Sequence, residues 1–184
     1  MRRLTHSEIL KERLSVEQAK VAERHPVSLL LHNVRSLYNV GSIFRSCDSA
    51  LCKELILCGF TPHPPRKEIE KTALGAVETV PWRFFKDTKE AIEVLKTEGN
   101  KILALELTER KRYYTTIRKD EFPLVIVLGN ELVGIDQEII DLCDDAIEIP
   151  MFGVKHSLNV AVAAGIVLFE TVKLYRKYFK NEIW

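Results

Sequence analysis

Ser157 and Asn159 lie in a crowded polar turn with Gly153, Lys155 and His156, between two apolar runs near the C-terminal end of the chain. Either side-chain oxygen can accept from the free N–H groups at a helix start. The same N–H groups can instead face a ligand, with the positive end of the helix dipole behind them. Arg45 raises a second question. It falls about a turn and a half into a mostly apolar helical stretch that follows Asn33, Arg35, Ser36 and Asn39. A guanidinium in such surroundings needs an anion or a hydrogen-bond partner. A salt bridge to Asp48 or Glu131 would serve, and so would the phosphate or ribose of a nucleotide. Glu131 itself sits in Gly-Asn-Glu-x-x-Gly, residues 129–134, directly after the apolar run LVIVL. Glycines there allow a tight turn and close backbone approach.

These groups can act together only if the elements that carry them bring three distant loops to one place. After Pro26 the pattern alternates between strands and helices. Strands are expected at 27–33, 54–59, 80–85, 102–107, 123–128 and 146–150, and helices at 40–51, 67–75, 88–98, 137–143 and 160–179. Near-continuous apolar strands such as SLLL and LVIVL suit a parallel sheet covered on both faces. The fold class is therefore α/β. Polar loops at the carboxyl ends of such strands are where these sheets bind ligands. Residues 2–24 carry Leu4, Ile9, Leu10, Leu14 and Val21 among many charges, an amphipathic helical pattern with a break near Ser15. A helix face packed on the domain and an RNA-touching arm are both open readings. The expected division is a helical extension over 1–25 and one domain over 26–184.

The totals narrow the function. At 184 residues, 46% hydrophobic and 29% charged, the chain reads as an ordinary globular domain. No apolar run reaches the roughly 18–20 residues of a membrane span, and the charged start does not read as a secretory signal. The cytoplasm is the expected location. The four cysteines (Cys47, Cys52, Cys58 and Cys143) form no CxxC pair and no zinc-ligand spacing, so reduced thiols and no metal are expected. Net charge is only +1, but basic residues gather locally. The 109–119 segment, ERKRYYTTIRK, interleaves them with Tyr113 and Tyr114, which suits RNA as well as it suits a solvated loop. Residues 173–180 add a second cluster, which could equally complement a helix C-terminus. Neither GxGxxG nor GxxxxGK[ST] occurs after a strand, which disfavours nicotinamide and ATP chemistry.

Taken together, the three polar stretches closely resemble the three motifs of the SpoU/TrmH family of RNA methyltransferases, in the SPOUT superfamily. Asn39, Gly41 and Arg45 match the first. Gly129, Glu131 and Gly134 match the second. Ile149, Pro150, Met151, Ser157, Leu158, Asn159 and Val160 match the third, and Lys71–Ala76, KTALGA, resembles the turn between the first two. The resemblance covers about residues 27–179. It implies a mostly parallel sheet with helices on both faces and a C-terminal deep trefoil knot, an exception to the rule against threaded chains. It implies S-adenosylmethionine as cofactor, held by Leu105, Gly129, Ile149, Met151, Ser157 and Leu158. It assigns catalysis to Arg45, with Glu131, Asn159, Ser157 and Asn39 as site partners. It further implies a homodimer in which Arg45 reaches the cofactor pocket of the other subunit. The implied reaction is methylation of a ribose 2′-hydroxyl in RNA, with tRNA favoured and ribosomal RNA as the alternative. A guanidinium resists deprotonation, so Arg45 is read as holding the neighbouring phosphate and stabilising the developing alkoxide, and Glu131 as positioning Arg45 or the loop. The rival from another class is an RNA-binding or ribosome-assembly module that has lost turnover.

Overall fold

The computed structural model describes residues 1–182, so the expected 26–184 domain ends two residues beyond them. Two short helices come first, α1 (His6–Lys11) and α2 (Val16–Val21), each closed by a capping box, with Ser15 capping the second. The break near Ser15 is thus a new helix start. The packed amphipathic face is not seen: α1 buries no residue and α2 only Ala19. Leu4, Leu10 and Val21 stay exposed, because each helix is too short to lay a continuous apolar stripe on the sheet.

The remaining chain forms one six-stranded, all-parallel sheet. Its strands are β1 (Val27–His32), β2 (Leu55–Cys58), β3 (Trp82–Phe85), β4 (Lys101–Leu105), β5 (Leu124–Leu128) and β6 (Asp145–Ile147), in spatial order β3-β2-β1-β5-β4-β6. Every residue of β1, β2 and β5 is buried, which explains their largely apolar sequences. Alternation sorts them into two cores. Leu29, Leu31, Leu55, Leu57 and Ile126 meet α3 (Leu37–Ser49), α4 (Lys67–Ala73) and α7 (Val160–Phe179). Leu30, Ile56, Val125 and Val127 meet α5 (Thr88–Thr97) and α6 (Gln137–Ile140) on the opposite face. Helix α3 begins at Leu37, three residues before the expected start, because the Ser36 hydroxyl accepts from the Asn39 N–H at 3.3 Å. A Cβ on Gly41 would lie 2.3 Å from the Ile69 carbonyl oxygen, so a glycine there lets α3 and α4 touch backbone to backbone.

Sheet order reverses direction between β1 and β5. The loops after these strands therefore open a crevice at their carboxyl ends. Among the described residues, no helix is long and apolar enough to cross a membrane.

Candidate active site

A cleft of about 340 Å³ opens beyond the carboxyl ends of β4, β5 and β6. Leu105, Gly129, Ile149, Met151, Ser157 and Leu158 all line it, as do Glu106, Glu131, Glu148 and His156. The turn that follows β5 is closed on itself. Asn130 and Gly134 exchange N–H···O bonds of 3.0 and 2.9 Å, and Asn130 Oδ1 accepts from the N–H groups of Leu132 and Val133. The closure brings backbone so near residue 129 that a Cβ there would lie 2.3 Å from the Gly134 carbonyl carbon and 2.6 Å from the Ile135 nitrogen. Only glycine fits. Asn130 also donates to the Asn33 carbonyl at 2.8 Å, tying this turn to the loop after β1. Sequence reading passed over Asn130, although an Asn just ahead of free N–H groups is a known turn former.

Glu131 points to the loop that starts α3. Its Oε2 accepts from the Arg35 N–H at 2.8 Å, and its Oε1 from the Ser36 N–H at 3.0 Å and from Asn39 Nδ2 at 2.9 Å. Asn39 Oδ1 in turn accepts from Asn159 Nδ2 at 3.1 Å. Asn159 Oδ1 caps α7 by accepting from Ala161 and Val162, at 2.9 and 3.3 Å. One relay, Glu131–Asn39–Asn159, therefore joins all three loops. Asn159 alone supplies the helix cap; Ser157 makes no capping bond, and it stays exposed on the cleft wall.

Burial alone would raise the Glu131 pKa, but the donors from Arg35, Asn39 and Ser36 outweigh it and hold the carboxyl below its ordinary value. A depressed folded-state pKa stabilises the fold above the unfolded value and loses that stabilisation as pH falls through the folded one. The tether should therefore weaken in acid, below the ordinary carboxylate pKa of about 4.3. Thermal melts from pH 7 to pH 3 are expected to show a smaller acid decline for Glu131→Gln than for wild type. Parallel curves would show that this carboxylate is not what titrates.

Arg45 stands apart from this relay. It is exposed on α3 and does not line the cleft. Neither expected ion pair forms: Asp48 accepts from the Thr79 hydroxyl at 2.5 Å, and Glu131 is engaged with the β1–α3 loop. Glu131 therefore positions the loop rather than Arg45 within one chain. The 109–119 segment is also more structural than its composition implied. Arg112 is held by Glu121 and Asp145, and Lys119 sits over the Phe179 ring at 5.1 Å. In the C-terminal cluster Lys173 pairs with Glu170 and Arg176 with Glu182. Sequence reading also missed His32, whose buried ring bridges Thr88 Oγ1 at 2.8 Å and Asp136 Oδ2 at 2.9 Å, fixing the far end of the cleft turn. Among the described residues, no group of three or more His, Cys, Asp or Glu is placed to hold a metal ion.

Known proteins resemble this chain in sequence and fold. The profile of the SpoU rRNA methylase family matches residues 26–169. A tRNA (guanosine(18)-2′-O)-methyltransferase of Thermus thermophilus is 32% identical over 166 residues, 88% of this chain and 84% of that enzyme. A 23S rRNA (guanosine-2′-O-)-methyltransferase of Vibrio parahaemolyticus is 33% identical over 148 residues, but this chain spans only 59% of its length. Among solved structures, a TrmH/SpoU tRNA-modifying enzyme of Aquifex aeolicus superimposes with a TM-score of 0.77 at 27% identity, over 93% of this chain and 84% of that one. An rRNA methyltransferase of Sinorhizobium meliloti with bound AdoMet gives 0.76 at 30% identity, over 85% of this chain and 58% of that one. On the extent of the profile match, and on a relative sharing a third of its residues across most of its length, this chain belongs to the SpoU rRNA methylase family.

Proposed function

We propose that this protein methylates a ribose 2′-hydroxyl in RNA, using S-adenosylmethionine, with tRNA the favoured substrate and ribosomal RNA the alternative. The single observation that carries the reading is the relay from Glu131 through Asn39 to Asn159, which sets the three motif loops around one cleft. Relatives acting on either RNA are matched at similar identity, the Thermus tRNA enzyme at 32% and the Vibrio rRNA enzyme at 33%.

The cleft fits the methyl donor. Its volume falls within the roughly 300–1,000 Å³ of small-molecule sites, it joins an apolar wall to exposed backbone at the cleft turn, and the nearly buried Glu148 is among its lining residues. Leu105, Ile149, Met151 and Leu158 would pack on its apolar part, while Gly129 and Ser157 offer close backbone and a hydroxyl. The donor, when bound, supplies an electrophilic methyl group on a sulfonium. The protein must then align the 2′-hydroxyl, hold the neighbouring phosphate and accommodate the departing proton. Arg45 takes the phosphate and stabilises charge developing on the ribose oxygen, and Asn39, Glu131 and Asn159 fix the loops that orient it.

That role needs a second subunit, because Arg45 lies outside the cleft of its own chain. Val162, Ile166 and Phe169 form an exposed apolar stripe along α7, at the spacing of one helix face. We assign that stripe to a homodimer interface. Ile166→Asp is expected to yield monomers by light scattering and to abolish transfer, and an unchanged mass would remove the stripe from the interface. The chain after β6 is taken to be threaded as a trefoil knot; the segment before β5 packs against α7, where Tyr178 donates to the Ile117 carbonyl and its ring meets Phe122. Residues 1–25 are treated as an extension outside the catalytic domain, since the family match begins at residue 26. The unpaired cysteines suit a reducing cytoplasm.

The test is transfer of tritium from labelled S-adenosylmethionine onto total tRNA and rRNA, followed by mapping of the modified ribose. Label appearing on a base, or on neither RNA despite RNA binding, would overturn the assignment.

A further inference from the structure

The charge of the cleft goes beyond what the methyl-transfer reading needs. Glu106, Glu131 and Glu148 line it with His156, and among the described residues no lysine or arginine does. Glu131 is satisfied by three donors from the β1–α3 loop. Glu106 accepts the Leu107 N–H at 2.9 Å and the Ile135 N–H at 3.1 Å, which pins its carboxylate across the mouth of the cleft turn. Glu148 differs from both. It is only 9% exposed, its backbone is used in pairing with Arg112 and Tyr114, and among the described residues its carboxylate meets neither a donor nor a cation. A carboxylate this buried is costly unless something positive or hydrogen-bonding arrives to meet it.

We propose that Glu148, backed by Glu106, makes the cleft select the cationic methyl donor over its neutral product. The inference rests on the methyl-transfer reading above. S-adenosylmethionine carries a sulfonium and an ammonium against one carboxylate, a net charge of +1. Transfer breaks the sulfur–methyl bond, leaves its electron pair on sulfur and forms the oxygen–methyl bond, while the hydroxyl proton departs. The remaining S-adenosylhomocysteine is a thioether of net charge zero. Two ligands of nearly the same shape thus differ by one positive charge, and in a site of low dielectric a nearby carboxylate discriminates between them. Such a wall favours loading of donor and release of product at the same contacts.

Calorimetric titration tests this without turnover. Wild-type protein and Glu148→Gln are titrated with S-adenosylmethionine, S-adenosylhomocysteine and sinefungin, which carries an ammonium in place of the sulfonium. The ratio of product to donor Kd is expected to fall about five-fold or more in Glu148→Gln, through weaker donor binding, while sinefungin sorts with the donor in wild type. The wild-type sinefungin comparison stands even if the variant folds poorly. Equal losses for donor and product in the variant, or sinefungin sorting with the product, would overturn charge selection while leaving the transferase assignment intact. Failure of wild type to bind either donor or product would overturn both.

Discussion

Arg45→Lys is expected to lower RNA methylation by about 10²–10³-fold, the scale of losing one preorganised charge-stabilising donor. Lysine keeps the positive charge but loses the planar fork that grips a phosphate at two points. Because Arg45 is exposed on α3 and forms neither of the ion pairs expected within its own chain, the substitution should move stability by no more than about 0.5 kcal/mol. Donor affinity should stay within about two-fold, since Arg45 is assigned to the RNA phosphate and the ribose oxygen rather than to the donor. The measurement is single-turnover methyl transfer beside a calorimetric Kd and a urea melt. Wild-type turnover by the lysine variant would remove Arg45 from the reaction.

Gly129→Ala should produce the other large loss, by the opposite route. The new methyl group would sit 2.3 Å from the carbonyl carbon of Gly134 and 2.5 Å from its oxygen, both main-chain atoms of the same closed turn. A flexible side chain could swing away; this turn can only open. Opening breaks the Asn130–Gly134 pair and shifts Glu131, which carries the tether to Arg35, Ser36 and Asn39. The cost is expected at about 2–3 kcal/mol, near the upper end for overpacking a tight site. Donor binding should weaken by at least about a hundred-fold as the cleft floor deforms. Tight donor binding by this variant would show that the floor is not part of the cofactor site. The two substitutions thus separate chemistry from binding: one spares the cleft, the other destroys it.

Much of the sheet was legible because burial on both faces leaves a plain trace. LVIVL has no polar position and SLLL only Ser28, and both lie in wholly buried strands of the parallel sheet. Edges were less legible. Strand β6 ends at Ile147 rather than at Pro150, and α6 at Ile140 rather than Cys143, since end positions answer to local capping and to neighbours that one sequence window does not contain. Apolar periodicity in the first residues left packing and an arm both open, and those side chains face solvent, because periodicity reports only that a face could be buried.

For the site, the sequence by itself determined the ingredients: a glycine where no Cβ fits, a carboxylate two residues later, and an amide at the start of the last helix. Only the tertiary structure decided their partners. Asn39 and Glu131 are 92 residues apart and Asn39 and Asn159 are 120 apart, distances over which no spacing rule operates. The same sequence left Arg112 equally suited to RNA and to a solvated loop, and packing against Glu121 and Asp145 placed it in an ion-pair cluster instead. Residue type sets what a group can bond to. Which bond forms depends on what the fold brings within about 3 Å of it, and that is a property of the whole chain.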